Sequence, residues 1–90
     1  MSFEWDEDKA SANVEKHGVS FEEAQTVFDD PLYVDFYDLE HSYREHRYII
    51  LGASNQGRLL LVSYTERDGG IRLISSREAT PAERRAYEEY

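Results

Sequence analysis

Cysteine is absent from this 90-residue sequence, which removes disulfides, thiolate metal sites and a cysteine nucleophile from consideration at once. Only two prolines and five glycines occur, without repeats or low-complexity stretches, so no long linker is expected and residues 1–90 read as one domain. Long apolar runs are missing too. Stretches such as Leu59 to Val62 fall far short of the roughly 20 residues of a membrane helix. The opening Met1-Ser2-Phe3-Glu4-Trp5-Asp6 has no basic segment followed by an apolar one, and a soluble, cytoplasmic protein is expected. No glycine-rich phosphate loop and no nucleophile elbow can be found. Asp6-Glu7-Asp8 lacks the rest of a calcium loop, and His41 with His46 follows no zinc spacing. Neither a metal nor another cofactor is therefore expected.

The charge is unevenly distributed. The net charge is −9, but two lysines face twelve carboxylates in residues 1–40, whereas eight arginines face seven carboxylates in residues 41–90. Arginine presents a planar fork that pairs bidentately with phosphate or carboxylate. The arginine half can thus hold an anion, or it can be a sheet face laced with ordinary surface ion pairs. Aromatic residues make up 13% of the chain, too many for a disordered acidic tail.

Hydrophobic period and capping signals define the elements. Asp6 can cap a helix over about residues 7–17, with Ala10, Val14 and His17 on one stripe and Gly18 ending it. Ser20-Phe21-Glu22-Glu23 has the form of a capping box, and the helix it opens, with Phe21, Ala24, Val27 and Phe28 on its apolar face, stops at Asp29-Asp30-Pro31. From Leu32 to Tyr37 the period changes to two, as in a half-buried strand. Residues 38–45 read as a polar loop. Further strands are expected at about 46–53, 58–66 and 71–78, joined by Ser54-Asn55-Gln56-Gly57 and Asp68-Gly69-Gly70 turns. Leu59 to Val62 is apolar on both faces, which marks a central strand. Thr80-Pro81-Ala82-Glu83 opens a last helix, with Glu83, Tyr87 and Tyr90 on one face. The fold expected is α+β: two N-terminal helices, a four-stranded antiparallel meander and a C-terminal helix.

The polar residues suit metal-free cleavage of RNA, in which the ribose 2′-hydroxyl is the nucleophile. That chemistry needs a base, cations for the charge growing on phosphate, and an acid for the leaving 5′-oxygen. The catalytic candidates are Lys9, His17, Arg67 and Arg77, with His17 as acid or base and the cations as charge stabilisers. Arg72, Tyr64 and Tyr87 are candidates for binding substrate. Each also has a structural reading: His17 suits the negative end of a helix dipole, and Lys9 can pair with an acid of its own first turn. Strict alternation puts Ser75 and Arg77 on one strand face and Arg72 on the other. It also separates Arg67 from Arg77 along the meander, so one of the two is expected to be structural.

Phe3-Glu4-Trp5-Asp6, Lys9, Asn13, Lys16 through Ala24, and Val27-Phe28-Asp29-Asp30-Pro31 together resemble the BrnT toxin family. So do Glu45 and Arg47, Val62 through Arg67, Ile71 through Arg77, and Arg84-Arg85-Ala86-Tyr87-Glu88. The resemblance spans nearly the whole chain. It implies a RelE-like ribonuclease toxin of a type II toxin–antitoxin pair that needs no metal, acts on RNA and is neutralised by a BrnA-like antitoxin. That antitoxin would carry a ribbon-helix-helix-type DNA-binding part, so operator DNA would be reached only through it. A non-catalytic member that binds an antitoxin in operon autoregulation, or an acidic protein-binding module using residues 1–40, is the alternative. On either reading the acidic half is expected to face away from RNA or to meet a basic partner.

Overall fold

The computed structural model describes residues 1–89; Tyr90, expected on one face of the last helix with Glu83 and Tyr87, lies outside them. Its elements run β1 (Phe3–Glu4), α1 (Glu7–His17), α2 (Phe21–Ala24) tightening into a 3₁₀ turn (Gln25–Asp29), β2 (Val34–Tyr37), β3 (Arg47–Ala53), β4 (Leu59–Arg67), β5 (Gly70–Glu78) and α3 (Pro81–Glu89). The sheet has five strands in the order β1-β5-β4-β3-β2. The class is α+β, as the hydrophobic periods require, but the sheet is mixed: β1 pairs in parallel with β5 through Phe3 opposite Ile71 and Glu4 opposite Arg72. The expectation of four antiparallel strands is corrected on this point. Two residues are too few to display an alternation, and Phe3 is anchored by its edge contact with Phe28, 5.1 Å between ring centroids.

Capping explains the helices. Asp6 Oδ1 accepts from the amides of Asp8 and Lys9 at the start of α1, and Gly18, at φ +68°, closes it in the left-handed region that glycine enters without steric cost. The buried residue of α1 is Asn13, while Val14 is exposed; Ala10 and His17 of the expected stripe are half-buried, with Asn13 in place of Val14 between them. Thr80 and Glu83 form a complete capping box: the Thr80 Oγ1 accepts from Glu83 N and the Glu83 carboxylate accepts from Thr80 N. Ser20 makes only half of one. Its Oγ accepts from the Glu23 amide, but the Glu23 carboxylate turns away to accept from Ser54 Oγ at 2.7 Å and Arg58 Nε at 3.0 Å. Arg58 also donates to the Gly18 carbonyl. This cluster ties both N-terminal helices to the β3–β4 hairpin, and hydrogen bonds from Arg58 hold the Glu23 carboxyl below its ordinary range despite burial. The Asp68-Gly69 turn, at φ +51° and +79°, is the two-residue form whose twist matches a right-handed hairpin.

The main core lies between the sheet and the N-terminal helices. Val19, Phe21, Ala24 and Val27 pack on Ile50, Leu60, Val62, Tyr64, Ile71 and Leu73. β4 is the middle strand, as its doubly apolar start demands. A bulge in β5 overturns the simple alternation there. Ser63 pairs with Ser75 but Tyr64 pairs with Leu73, which leaves Ile74 with no residue opposite. Ile71 and Leu73 therefore face the core, whereas Arg72 stands opposite Thr65 on the same face as Ser75 and Arg77. An extra residue advances the pleat by one, and every side chain beyond it changes face.

Candidate functional site

α3 covers only half of the sheet face that looks away from the main core. Under it Leu51, Leu59 and Leu61 make a small second core with Ile49, Ala79 and Tyr87. Past Leu61 the same face turns polar, through Ser63 and Thr65 on β4, Ser75 on β5 and Arg47 on β3. Here a cleft of about 400 Å³ opens, lined by His17, Asp38, Glu40, His41, Arg47, Ile49, Leu61, Ser63 and the run Ile74 to Arg77.

Three pieces of local structure bring these side chains together. Asn13 acts as a surrogate strand along the edge of β5 beyond β1: its Nδ2 donates to the Ser76 carbonyl at 2.8 Å and its Oδ1 accepts from the Ser76 amide at 3.1 Å. A third bond, Nδ2 to the Val19 carbonyl at 2.9 Å, fixes the chain after α1. One turn beyond Asn13, His17 reaches the cleft. On the other side, the segment after β2 is clipped by Ser42, whose Oγ donates to the Asp38 carbonyl at 2.6 Å and accepts from the Arg47 amide at 2.9 Å. Within that clip, Asp38 Oδ2 lies 2.9 Å from His41 Nδ1. The Asp38 side chain is 11% exposed and that of His41 63%, so a shielded carboxylate holds one ring nitrogen and leaves Nε2 to the solvent side. This is the arrangement by which an acid fixes the tautomer of a reactive imidazole. The bulge at Ile74 supplies the third piece by turning Ser75 and Arg77 to this face.

The arginines differ in how fully they are engaged. Arg77 is forked onto Glu83, with Nη1 to Oε1 at 2.8 Å and Nη2 to Oε2 at 2.9 Å. Those hydrogen bonds raise the Arg77 pKa further and lower that of Glu83. Arg47 is the opposite case: its buried Nε has no hydrogen-bond partner, Glu45 Oε1 standing off at 3.6 Å. Nε is shielded, but the Arg47 side chain is a third exposed and lines the cleft, where a guanidinium not fully engaged by the protein suits a transient anionic ligand.

Of the residues singled out from the sequence, His17 and Arg77 line the cleft. Lys9 is exposed on the first turns of α1, eight residues and about 12 Å of helix from His17. Arg67 sits by the β4–β5 turn, with Glu45 Oε2 at 3.7 Å; Arg77 pairs across from Leu61, six residues or about 20 Å along the strand. Arg72 lies near Glu4 at 3.6 Å, toward the β1 edge. Tyr64 is buried on the core side of the sheet, in an aromatic row with Phe28 and Tyr48, and burial followed by the field of Asp35 and Glu66 pushes its phenol up to about 12. Tyr87 donates to Asp30 Oδ2 at 2.6 Å, joining α3 to the end of the 3₁₀ turn. That bond, with burial, lifts its pKa to about 12. The Asp38–His41 pair escaped sequence reasoning, as did the unpaired state of Arg47. The signal available was an aspartate three residues before a histidine in a polar loop. Among the described residues no three histidine or acidic side chains converge as metal ligands do, and no helix is long and apolar enough to cross a membrane.

The model of the family described as "Ribonuclease toxin, BrnT, of type II toxin-antitoxin system" matches residues 5–83. The chain belongs to the BrnT family. BrnT proteins are the toxins of type II pairs, so membership implies an antitoxin as partner. The fold agrees with the 1.1 Å crystal structure of the Brucella abortus ribonuclease toxin BrnT. That match has a TM-score of 0.69 at 23% identity, over 89% of this chain and 97% of the other. A comparison with curated proteins gave no match. Of the segments that carry the BrnT resemblance, those on α1, β3, β4 and β5 contribute to the cleft, whereas Asp38, Glu40 and His41 come from the segment after β2, outside them.

Proposed function

We propose that this BrnT protein is a metal-independent endoribonuclease whose active site is the cleft between the end of α1, the segment after β2 and the bulged part of β5. The observation that carries this reading is the convergence on one open cleft of the Asp38–His41 pair, a second histidine, His17, and the unpaired donor of Arg47. His41 Nε2 takes the proton of the ribose 2′-hydroxyl. The 2′-oxygen attacks phosphorus, the bond from phosphorus to the 5′-oxygen breaks, and His17 returns a proton to that oxygen, leaving a 2′,3′-cyclic phosphate on one fragment. Arg47 meets the charge that grows on the non-bridging oxygens. Arg77, held by Glu83, sets the far wall and adds positive potential there. Because RNA brings its own nucleophile, the reaction needs no metal-activated water. The fold would then serve as a RelE-like scaffold, and a BrnA-like antitoxin of ribbon-helix-helix type would silence it and carry the pair to operator DNA.

The test is cleavage of a defined RNA by the purified, antitoxin-free chain with excess chelator. Cyclic phosphate ends and undiminished rates with chelator are expected, along with a loss of at least about 100-fold in His41→Ala. Full activity in that variant, or activity abolished by chelator and restored by a divalent ion, would overturn the mechanism.

A further inference from the structure

The edge of the sheet formed by β2 is open. Asp38 donates its amide to the Arg47 carbonyl at 2.9 Å, and because bonded positions alternate in an antiparallel pair, Phe36 and Val34 also point their backbone groups at β3. The amides and carbonyls of Asp35 and Tyr37 thus point outward, and nothing among the described residues covers them. Exposed strand edges are normally blunted by shortness, charged side chains, proline or a bulge. β2 is short and carries one carboxylate, Asp35, but it has no lysine, proline or bulge, and its flanks are apolar: Leu32 is 71% exposed and Leu39 82%, with Tyr33, Phe36 and Tyr37 about half exposed. A shallow apolar groove of about 250 Å³ runs beside it, between Val34, Phe36 and Leu51 of the sheet and Ala86 and Tyr87 of α3.

We infer that β2 is the docking edge for the antitoxin, which adds an extended segment of alternating apolar and basic residues as a sixth strand. The charge selects this occupant. No lysine or arginine lies between Lys16 and Arg44, while Asp35, Asp38 and Glu40 stand on the strand or just past it. A second copy of this chain would bring the same carboxylates against themselves, within a net charge of −9 on each partner. A basic strand would find backbone partners on Asp35 and Tyr37, apolar seats in the groove and carboxylates between them. The edge also leads to the cleft, because β2 runs directly into Asp38, Glu40 and His41, which line it. A segment that continues past Tyr37 runs along the rim of that cleft, where RNA would enter. Only this silencing step rests on the proposed active site; the docking itself does not.

The experiment uses the chain co-expressed and co-purified with its antitoxin, and reads amide exchange by NMR. The Asp35 and Tyr37 amides should exchange at least tenfold more slowly in the complex than in the free chain. Asp35→Lys should weaken the complex at least tenfold at low salt, and Asp35→Pro, which removes an outward amide at an edge position that tolerates proline, at least as much. Thermal unfolding of each free variant should match the parent. Unchanged exchange at both amides, or a complex of parental affinity with a folded Asp35→Pro chain, would overturn the inference. Protection of the edge in the free chain together with a dimer in sedimentation would overturn it in favour of a second copy. RNA cleavage by the free chain, read in the same preparation, separates failure of this surface from failure of the active-site reading.

Discussion

Arg58 and Arg47 occupy corresponding places at the two ends of the β3–β4 pair, and their surroundings differ in kind. Around Arg58, Glu23 and the Gly18 carbonyl accept the guanidinium protons, and Ser54 satisfies what remains of the Glu23 carboxylate. Around Arg47 one donor is left without an acceptor, and a histidine held by a carboxylate stands across open space. The first cluster is saturated and joins elements distant in sequence. The second is held together by Ser42 and Asn13, residues beside the cleft's ionisable groups, and its own donors are left for a ligand. Counting charged residues does not distinguish the two; counting their unsatisfied atoms does.

Removing Arg58 should have the largest effect on the molecule. Arg58→Ala leaves the buried Glu23 carboxylate without its counter-ion and should lower the unfolding free energy by about 3 kcal/mol, measured by denaturant titration; a loss below about 1 kcal/mol would show that the cluster is not saturated in the way described. At the other end, Arg47→Ala should reduce RNA cleavage by about 100-fold, or ~2.7 kcal/mol in the barrier, yet change stability by less than about 0.5 kcal/mol. A large loss of stability instead would erase the contrast between the clusters. The acid response comes next. Glu23 is held below its ordinary value of 4.5 by Arg58, against burial. Asp30 lies below 3.8 because hydrogen bonds from Ala53, Tyr87 and Leu32 outweigh the upward push of burial. Groups lowered on folding stabilise fully above those ordinary values and cease to do so as pH falls through the lower folded ones. Unfolding free energy should therefore be level from neutral pH to about 5 and fall below about 4, a fall that Glu23→Gln should make shallower. The smallest effect is expected at Ser76, whose buried Oγ has no partner. Ser76→Ala should be neutral or stabilising by up to about 1 kcal/mol, read as a small rise in melting temperature.

Much of the fold was legible because capping residues and hydrophobic period are local. Asp6, Thr80 with Glu83, and the Asp68-Gly69 turn each mark a boundary that the structure keeps. β1 was not legible, since it depends on where β5 lies and spans only Phe3 and Glu4. Glu23 read as a reciprocal cap because nothing in Ser20-Phe21-Glu22-Glu23 shows that Arg58, 35 positions on, competes for it. The site was half legible. His17 and Arg77 stood out by residue type, but which arginine is left unsatisfied depends on acceptors contributed by distant elements. Asp38 and His41 were near neighbours in the sequence all along, in a loop whose shape comes from Ser42 bridging to Arg47.

The unpaired Ile74 makes pairing register, rather than side-chain identity, the sensitive variable in this strand. Were Ile74 drawn into regular pairing with the Ser75 pairing kept, Ile71 and Leu73 would turn from the core to the open face and Arg72 would turn inward. The cleft and the core are thus two readings of one string in a fixed frame, and a shift of frame inside β5 would damage both together. Substitutions can tune either surface separately; a change of register cannot.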